Sequence, residues 1–171
     1  MRSIAMINRE RFTTAGHRLA CRAGMFLIII SLGIGCASAP VRPVTGYTSA
    51  AGQKAVKTAV TMIGKPYKYR GDTPQGFDCS GLVRYSYLSA GVEVPHGTHE
   101  LMNATRSVGG GSARQGDLLF FDQGGKKYSH VGIFIGNGLF VHAPSTGGTV
   151  RKDSLTDPYW KQHYLDTRRF Q

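Results

Sequence analysis

The sequence predicts an α+β fold, with N-terminal helices packed on an antiparallel β-sheet. Three observations carry that prediction. Apolar residues recur at helical spacing between positions 50 and 63. From residue 117 the texture changes to short apolar runs of strand type. Asn137 and Gly138 then fall between two such runs, a strong short-range hairpin signal.

Taken in order, the chain opens with an arginine-bearing stretch followed by the apolar run MFLIIISLGIG at 25–35. That run is too short to span a bilayer comfortably and has the length of a signal-peptide core, so residues 1–35 are expected to be a signal peptide. GIGC at 33–36 resembles a bacterial lipobox, in which the cysteine is acylated and becomes the first mature residue. It departs from the usual pattern in placing Leu32 four residues before Cys36 and Gly33 three before it. Residues 36–48 are therefore expected to be a lipidated Cys36 and a Pro- and Thr-rich tether, and residues 49–171 one domain. The alternative is a plain signal peptide cut near Ala37 to Ala39.

Within the domain, Ala55, Val56, Ala59, Val60 and Ile63 mark an amphipathic helix over 50–63, stopped by Gly64 and Pro66. YKYRGDTPQGFD is loop chemistry, punctuated by Gly71, Pro74 and Gly76. A second helix starts at Asp78 or Cys79 and ends at Gly91, with Leu82 and Val83 opening its buried face. THELMNATR after Gly97 predicts a short helix. DLLFFD (117–122), HVGIFIGN (130–137) and LFVHA (139–143) predict strands, Asp157-Pro158-Tyr159 a turn, and LDTRRF a last strand.

The formal charge is +11, of which the first 35 residues hold five arginines and one glutamate, +4, leaving +7 on the rest. Such a balance favours a polyanionic neighbour. An export signal and the lack of a basic helix argue against nucleic acid. Lys126, Lys127, Arg151 and Lys152 suit an anionic envelope polymer or lipid headgroups, or serve as solubilising charge. No metal or cofactor is expected: His96 and His99 have no third soft ligand and no HExxH pattern. Asp72, Asp78, Asp117 and Asp122 are too dispersed for a carboxylate pair.

With Cys21 in the leader and Cys36 lipidated, Cys79 is left as the free thiol of an oxidising compartment. Its predicted place at a helix N-terminus is expected to lower its pKa. His130 and His142 sit close to cross-strand register on either side of the Asn137-Gly138 turn, so both can meet at one end of the hairpin.

PYKYRG, GFDCSGLV, GDLLFF, SHVGIFIGN, FVHA and PYWKQHYLDTRRF follow one another from about residue 50 to the end. In content and order they resemble the NlpC family of bacterial cell-wall cysteine peptidases, a papain-like group that cleaves peptidoglycan stem peptides. The resemblance implies Cys79 as nucleophile, His130 as general base and His142 as the residue orienting it. It implies that the Tyr67 hydroxyl joins the Cys79 backbone N–H at an oxyanion hole, and that Asp78 and Ser80 line the substrate groove. A core role for Tyr67, a helix cap for Asp78 and an exposed Ser80 are the plainer alternatives. The chain departs from the family in having Arg70 before Gly71, where two glycines are common, and in VPHGTHEL, with His96 after the proline and Leu101 at a glutamine position.

The expected function is peptidoglycan hydrolysis by a cysteine endopeptidase through a thioester, with stem peptides as partner and the membrane reached through Cys36. Ala37, rather than Asp, after Cys36 implies by the same kind of resemblance an outer-membrane lipoprotein facing the periplasm; the alternative is a soluble periplasmic protein. The residues specify no adaptor or regulatory protease. The alternative function is a catalytically silent envelope lipoprotein that binds peptidoglycan or recruits another hydrolase, and a lost nucleophile or base would mark it. Both are present.

Overall fold

Helix α1 (Ser49–Thr61) buries Ala51, Gly52, Ala55, Val56 and Ala59. So small a stripe lets backbones approach closely: a Cβ added at Gly116 would lie 2.5 Å from the Gly52 Cα. These relations come from a computed structural model that describes residues 49–145 and 148–171. The expected signal peptide at 1–35, Cys36 and the tether to residue 48 lie outside the described residues. Val60 and Ile63 were expected on the buried stripe, but both are exposed. The helix stops at Thr61, Gly64 adopts φ 88, and its N–H donates to Val150 O at 2.8 Å, which draws the chain toward the sheet before another turn can form.

Next come a small hairpin, β1 (Asp72–Thr73) with β2 (Gly76–Phe77), then α2 (Cys79–Ser89), α3 (Thr98–Asn103) and β3 (Thr105–Ser107). The stretch expected as one helix through THELMNATR thus splits, because Thr105 to Ser107 pair with the C-terminal strand. The remaining elements are β4 (Leu118–Gln123), β5 (Lys126–Gly136), β6 (Leu139–His142), β7 (Arg151–Ser154), α4 (Pro158–His163) and β8 (Tyr164–Phe170). The main sheet runs β3-β8-β4-β5-β6-β7, with antiparallel pairing throughout. The α+β expectation is met.

Strand alternation divides the core into two faces. Leu118, Phe120, Val131, Ile133 and Val141 belong to one cluster with Ala55, Leu82, Val83 and Tyr87 of α1 and α2. Leu119, Phe121, Phe134 and Phe140 form a second cluster with Trp160 of α4. The hairpin expected at Asn137-Gly138 is present, with φ of 54 and 71, the left-handed pair a two-residue loop requires.

Strand β7 and helix α4 were not anticipated. RKDS is a polar edge strand without apolar alternation, so periodicity is blind to it. Asp157-Pro158, read as a turn, is a helix start: the Asp157 side chain accepts from the Tyr159 and Trp160 N–H groups, and proline occupies the first turn.

Candidate active site

Asp78 caps α2. Its Oδ1 accepts from Gly81 N at 2.6 Å and from Ser80 Oγ at 2.9 Å, and lies 3.2 Å from His96 Nε2. Ser80 is buried, at 4% exposure, which removes the reading of it as a solvent-facing residue. Gly81 explains the glycine of the CSG run: a methyl there would meet Gly71 O at 1.9 Å. The same carbonyl accepts the Asp78 N–H at 2.9 Å, so the loop after Arg70 presses on the helix tip and seats Cys79.

Tyr67 is fixed from two sides. Its N–H donates to Gly148 O at 2.8 Å, and it bridges to Phe77, whose carbonyl accepts the Lys68 N–H at 3.0 Å. Burial, then the Cys79 and Asp78 charges, raise the pKa of its phenol, which therefore stays protonated and able to donate. Tyr67 and Cys79 are both partly buried at the margin of the larger core cluster.

Cys79 is a free, partly exposed thiol. Burial, with the Asp78 charge second, pushes its pKa up to about 12, while the backbone N–H groups of Val131, Ser80 and Cys79 itself pull the other way. The expectation of a thiol acidified by the helix tip is thus overturned: desolvation and a neighbouring carboxylate outweigh the dipole. Val131 directly follows His130 on β5, the strand against which α2 packs. Among the described residues no hydrogen bond joins the thiol to His130 itself.

His130 and His142 are brought together as the hairpin predicted. Nε2 of His130 lies 2.8 Å from Nδ1 of His142. Both are buried, at 3% and 0% exposure. Desolvation, then the neighbouring His142 and Arg151 charges, lower the His130 pKa to about 3. Desolvation likewise lowers His142 to about 4, against the opposing hydrogen bond from Asp153. The resting pair is therefore a neutral thiol beside neutral imidazoles.

Two residues of the cluster escaped the sequence reading. Asp153 Oδ2 lies 2.9 Å from His142 Nε2, and Trp160 stacks on the His130 ring with centroids 5.5 Å apart and planes 25° apart. Burial works against the Asp153 carboxylate, but hydrogen bonds from His142 and Arg151 outweigh it and hold its pKa below the usual range. The signal for Asp153 lay in its spacing: β7 pairs His142 with Arg151 and Phe140 with Asp153, so alternate residues of RKDS share the His142 face. Of the residues considered for metal, His96 is taken up by Asp78, and His99 approaches Tyr128 with ring centroids 6.5 Å apart.

Fold and cluster together define a class: an α+β, papain-like domain that carries a thiol at a helix tip and a hydrogen-bonded pair of histidines on an antiparallel hairpin. The chain belongs to the NlpC/P60 family, whose profile matches residues 64–169, as the motif resemblance anticipated. It is 39% identical over 126 residues to murein DD-endopeptidase MepH of Escherichia coli K12, covering 68% of this chain and 46% of that protein. It is 40% identical over 107 residues to the murein DD-endopeptidase MepS/murein LD-carboxypeptidase of the same strain, covering 62% of this chain and 56% of that one. The chain thus spans about half the length of these curated relatives. Among solved structures, the NlpC/p60 domain of the peptidoglycan hydrolase SagA aligns with a TM-score of 0.60 at 35% identity, over 70% of this chain and 98% of that one. An NLP/P60 family protein from Staphylococcus aureus aligns with a TM-score of 0.65 at 30% identity, over 74% of this chain and 43% of that one.

Proposed function

We propose that this protein is a peptidoglycan hydrolase, a cysteine endopeptidase that cleaves amide bonds in murein stem peptides or cross-links through a thioester on Cys79. One observation carries the reading: His130 Nε2 meets His142 Nδ1 at 2.8 Å on the strand against which α2, opened by the free thiol of Cys79, is packed. The relatives' names, which include both DD- and DL-endopeptidases of murein, supply the substrate class.

The reaction starts from neutral groups. As Sγ attacks the carbonyl carbon, its proton passes to His130, an S–C bond forms, and the carbonyl electron pair moves onto oxygen. The Cys79 N–H and the Tyr67 phenol donate to that oxyanion. Collapse breaks the C–N bond and the departing amine takes the proton from His130. Water, giving a proton to His130 in turn, then splits the thioester and returns the thiol. Asp78 borders the groove beside the nucleophile in this scheme, Ser80, expected to line it as well, is instead buried and donates to Asp78, and His142 orients the base.

The thiol pushed up to about 12 favours the second reading, a silent domain that only binds the wall. Purified sacculi incubated with wild type and with Cys79→Ala decide between them. Wild type alone is expected to release new muropeptides; identical profiles from both would remove the assignment, and retention on sacculi without release would establish the binding module.

The anchor belongs to the same proposal. Cys36 is taken as acylated, on a protein of the outer membrane facing the periplasm. Intact mass of membrane-extracted protein is expected to show diacylglycerol on a chain beginning at Cys36; a mass lacking it would leave a soluble periplasmic enzyme.

A further inference from the structure

Asp153 Oδ2 takes three donors at once: His142 Nε2 at 2.9 Å, Trp160 Nε1 at 2.8 Å and Arg151 Nε at 3.0 Å. An ionised carboxylate can only accept, so His142 must carry its hydrogen on Nε2. A neutral imidazole carries a single hydrogen, which leaves His142 Nδ1 as a lone pair. That lone pair lies 2.8 Å from His130 Nε2, and two lone pairs do not face each other at this distance. His130 Nε2 is therefore the donor, and His130 Nδ1 is the bare nitrogen.

We propose that Asp153 is a positioning residue that sets the tautomer of both histidines, with Trp160 and Arg151 holding it in place, so that Nδ1 of His130 is the base offered to the thiol. The inference rests on the endopeptidase reading of the site and adds a residue to it. Without an acceptor at this position the hydrogen-bond chain can run backwards. His142 would then donate from Nδ1 to His130 Nε2, and the His130 hydrogen would move to Nδ1. An N–H there cannot accept the thiol proton.

The test compares Asp153→Asn with Asp153→Ala in the full-length protein. Arg151 Nε and Trp160 Nε1 are donors only, so they select the asparagine rotamer with its oxygen in the Oδ2 position. On the opposite side, Asp153 Oδ1 has no hydrogen-bond partner among the described residues, so an amide nitrogen is accommodated there. Asparagine thus keeps the acceptor and loses only the charge. Its kcat on sacculi is expected within about tenfold of wild type, whereas alanine is expected to lose about 100-fold or more with KM unchanged. Long-range ¹⁵N–¹H correlation spectra of the folded proteins are expected to show His130 bare at Nδ1 in wild type and Asp153→Asn, and protonated at Nδ1 in Asp153→Ala. Equal losses in the two variants, or identical tautomers in all three proteins, would overturn the proposal. So would wild type with Nδ1 of His130 protonated, a readout available even if the alanine variant fails to fold. The spectra need no turnover, so failure of the hydrolase reading is seen separately, as wild type inactive on sacculi.

Discussion

Replacing His130 with alanine is expected to lower kcat on sacculi by about 10⁴-fold or more. The argument is one of populations. With the thiol pushed up to about 12, on the order of one molecule in 10⁴ to 10⁵ carries a thiolate at pH 7.5, so a pre-formed ion pair contributes little to the rate. Attack must be concerted with proton removal, and His130 is the base proposed to take that proton. Because the thiolate fraction rises tenfold per pH unit below the thiol pKa, the residual activity of His130→Ala is expected to climb with that slope from pH 7 to 10. Wild type is expected to be far less steep. Alkylation by iodoacetamide followed over the same range reports the thiolate without any substrate. A His130→Ala protein within tenfold of wild type at neutral pH would take His130 out of the reaction.

Acid is expected to destabilise the fold through the same two histidines. Their pKa values fall from an ordinary 6.5 to about 3 for His130 and about 4 for His142 on folding. Between 6.5 and those values the unfolded chain binds protons that the folded one refuses, so stability is full above 6.5 and drains away as pH falls. Each group costs at most about 1.4 kcal/mol per pH unit, which places the protein about 3 to 4 kcal/mol lower at pH 5 than at pH 7. Asp153 adds nothing in this window, because its lowered pKa keeps it ionised at pH 5. Urea unfolding at the two pH values measures the difference. His130→Ala is expected to halve the pH dependence even if it lowers stability at neutral pH. An unfolding midpoint unmoved between pH 7 and 5 would mean that the histidines take up protons within the fold.

What could be read from the sequence was what rests on local pattern. Cys79 at a helix start, Asn137-Gly138 as a turn, and His130 with His142 across it all follow from spacing along short segments. Tyr67 needed the family resemblance, since its position depends on backbone bonds to Gly148 and a bridge to Phe77, partners distant or unsignalled in the chain. Asp153 and Trp160 were missed because their elements carry no apolar period: RKDS is a polar edge strand, and PYWKQH begins with turn residues that serve as a cap. The acidity of the thiol was misjudged for another reason. A helix tip is visible in sequence, whereas the desolvation produced by packing α2 against β5 exists only once both are folded.

The hydrogen-bonded line through the site has an exit. His142 is wholly enclosed, yet the Asp153 side chain behind it on the edge strand is 21% exposed. A substrate of the proposed kind, lying over the thiol, would close the front of the site without isolating the imidazoles from bulk water. In the proposed thioester reaction, protons would thus equilibrate with the surroundings by the rear, through β7, while the acyl group still occupies the sulfur.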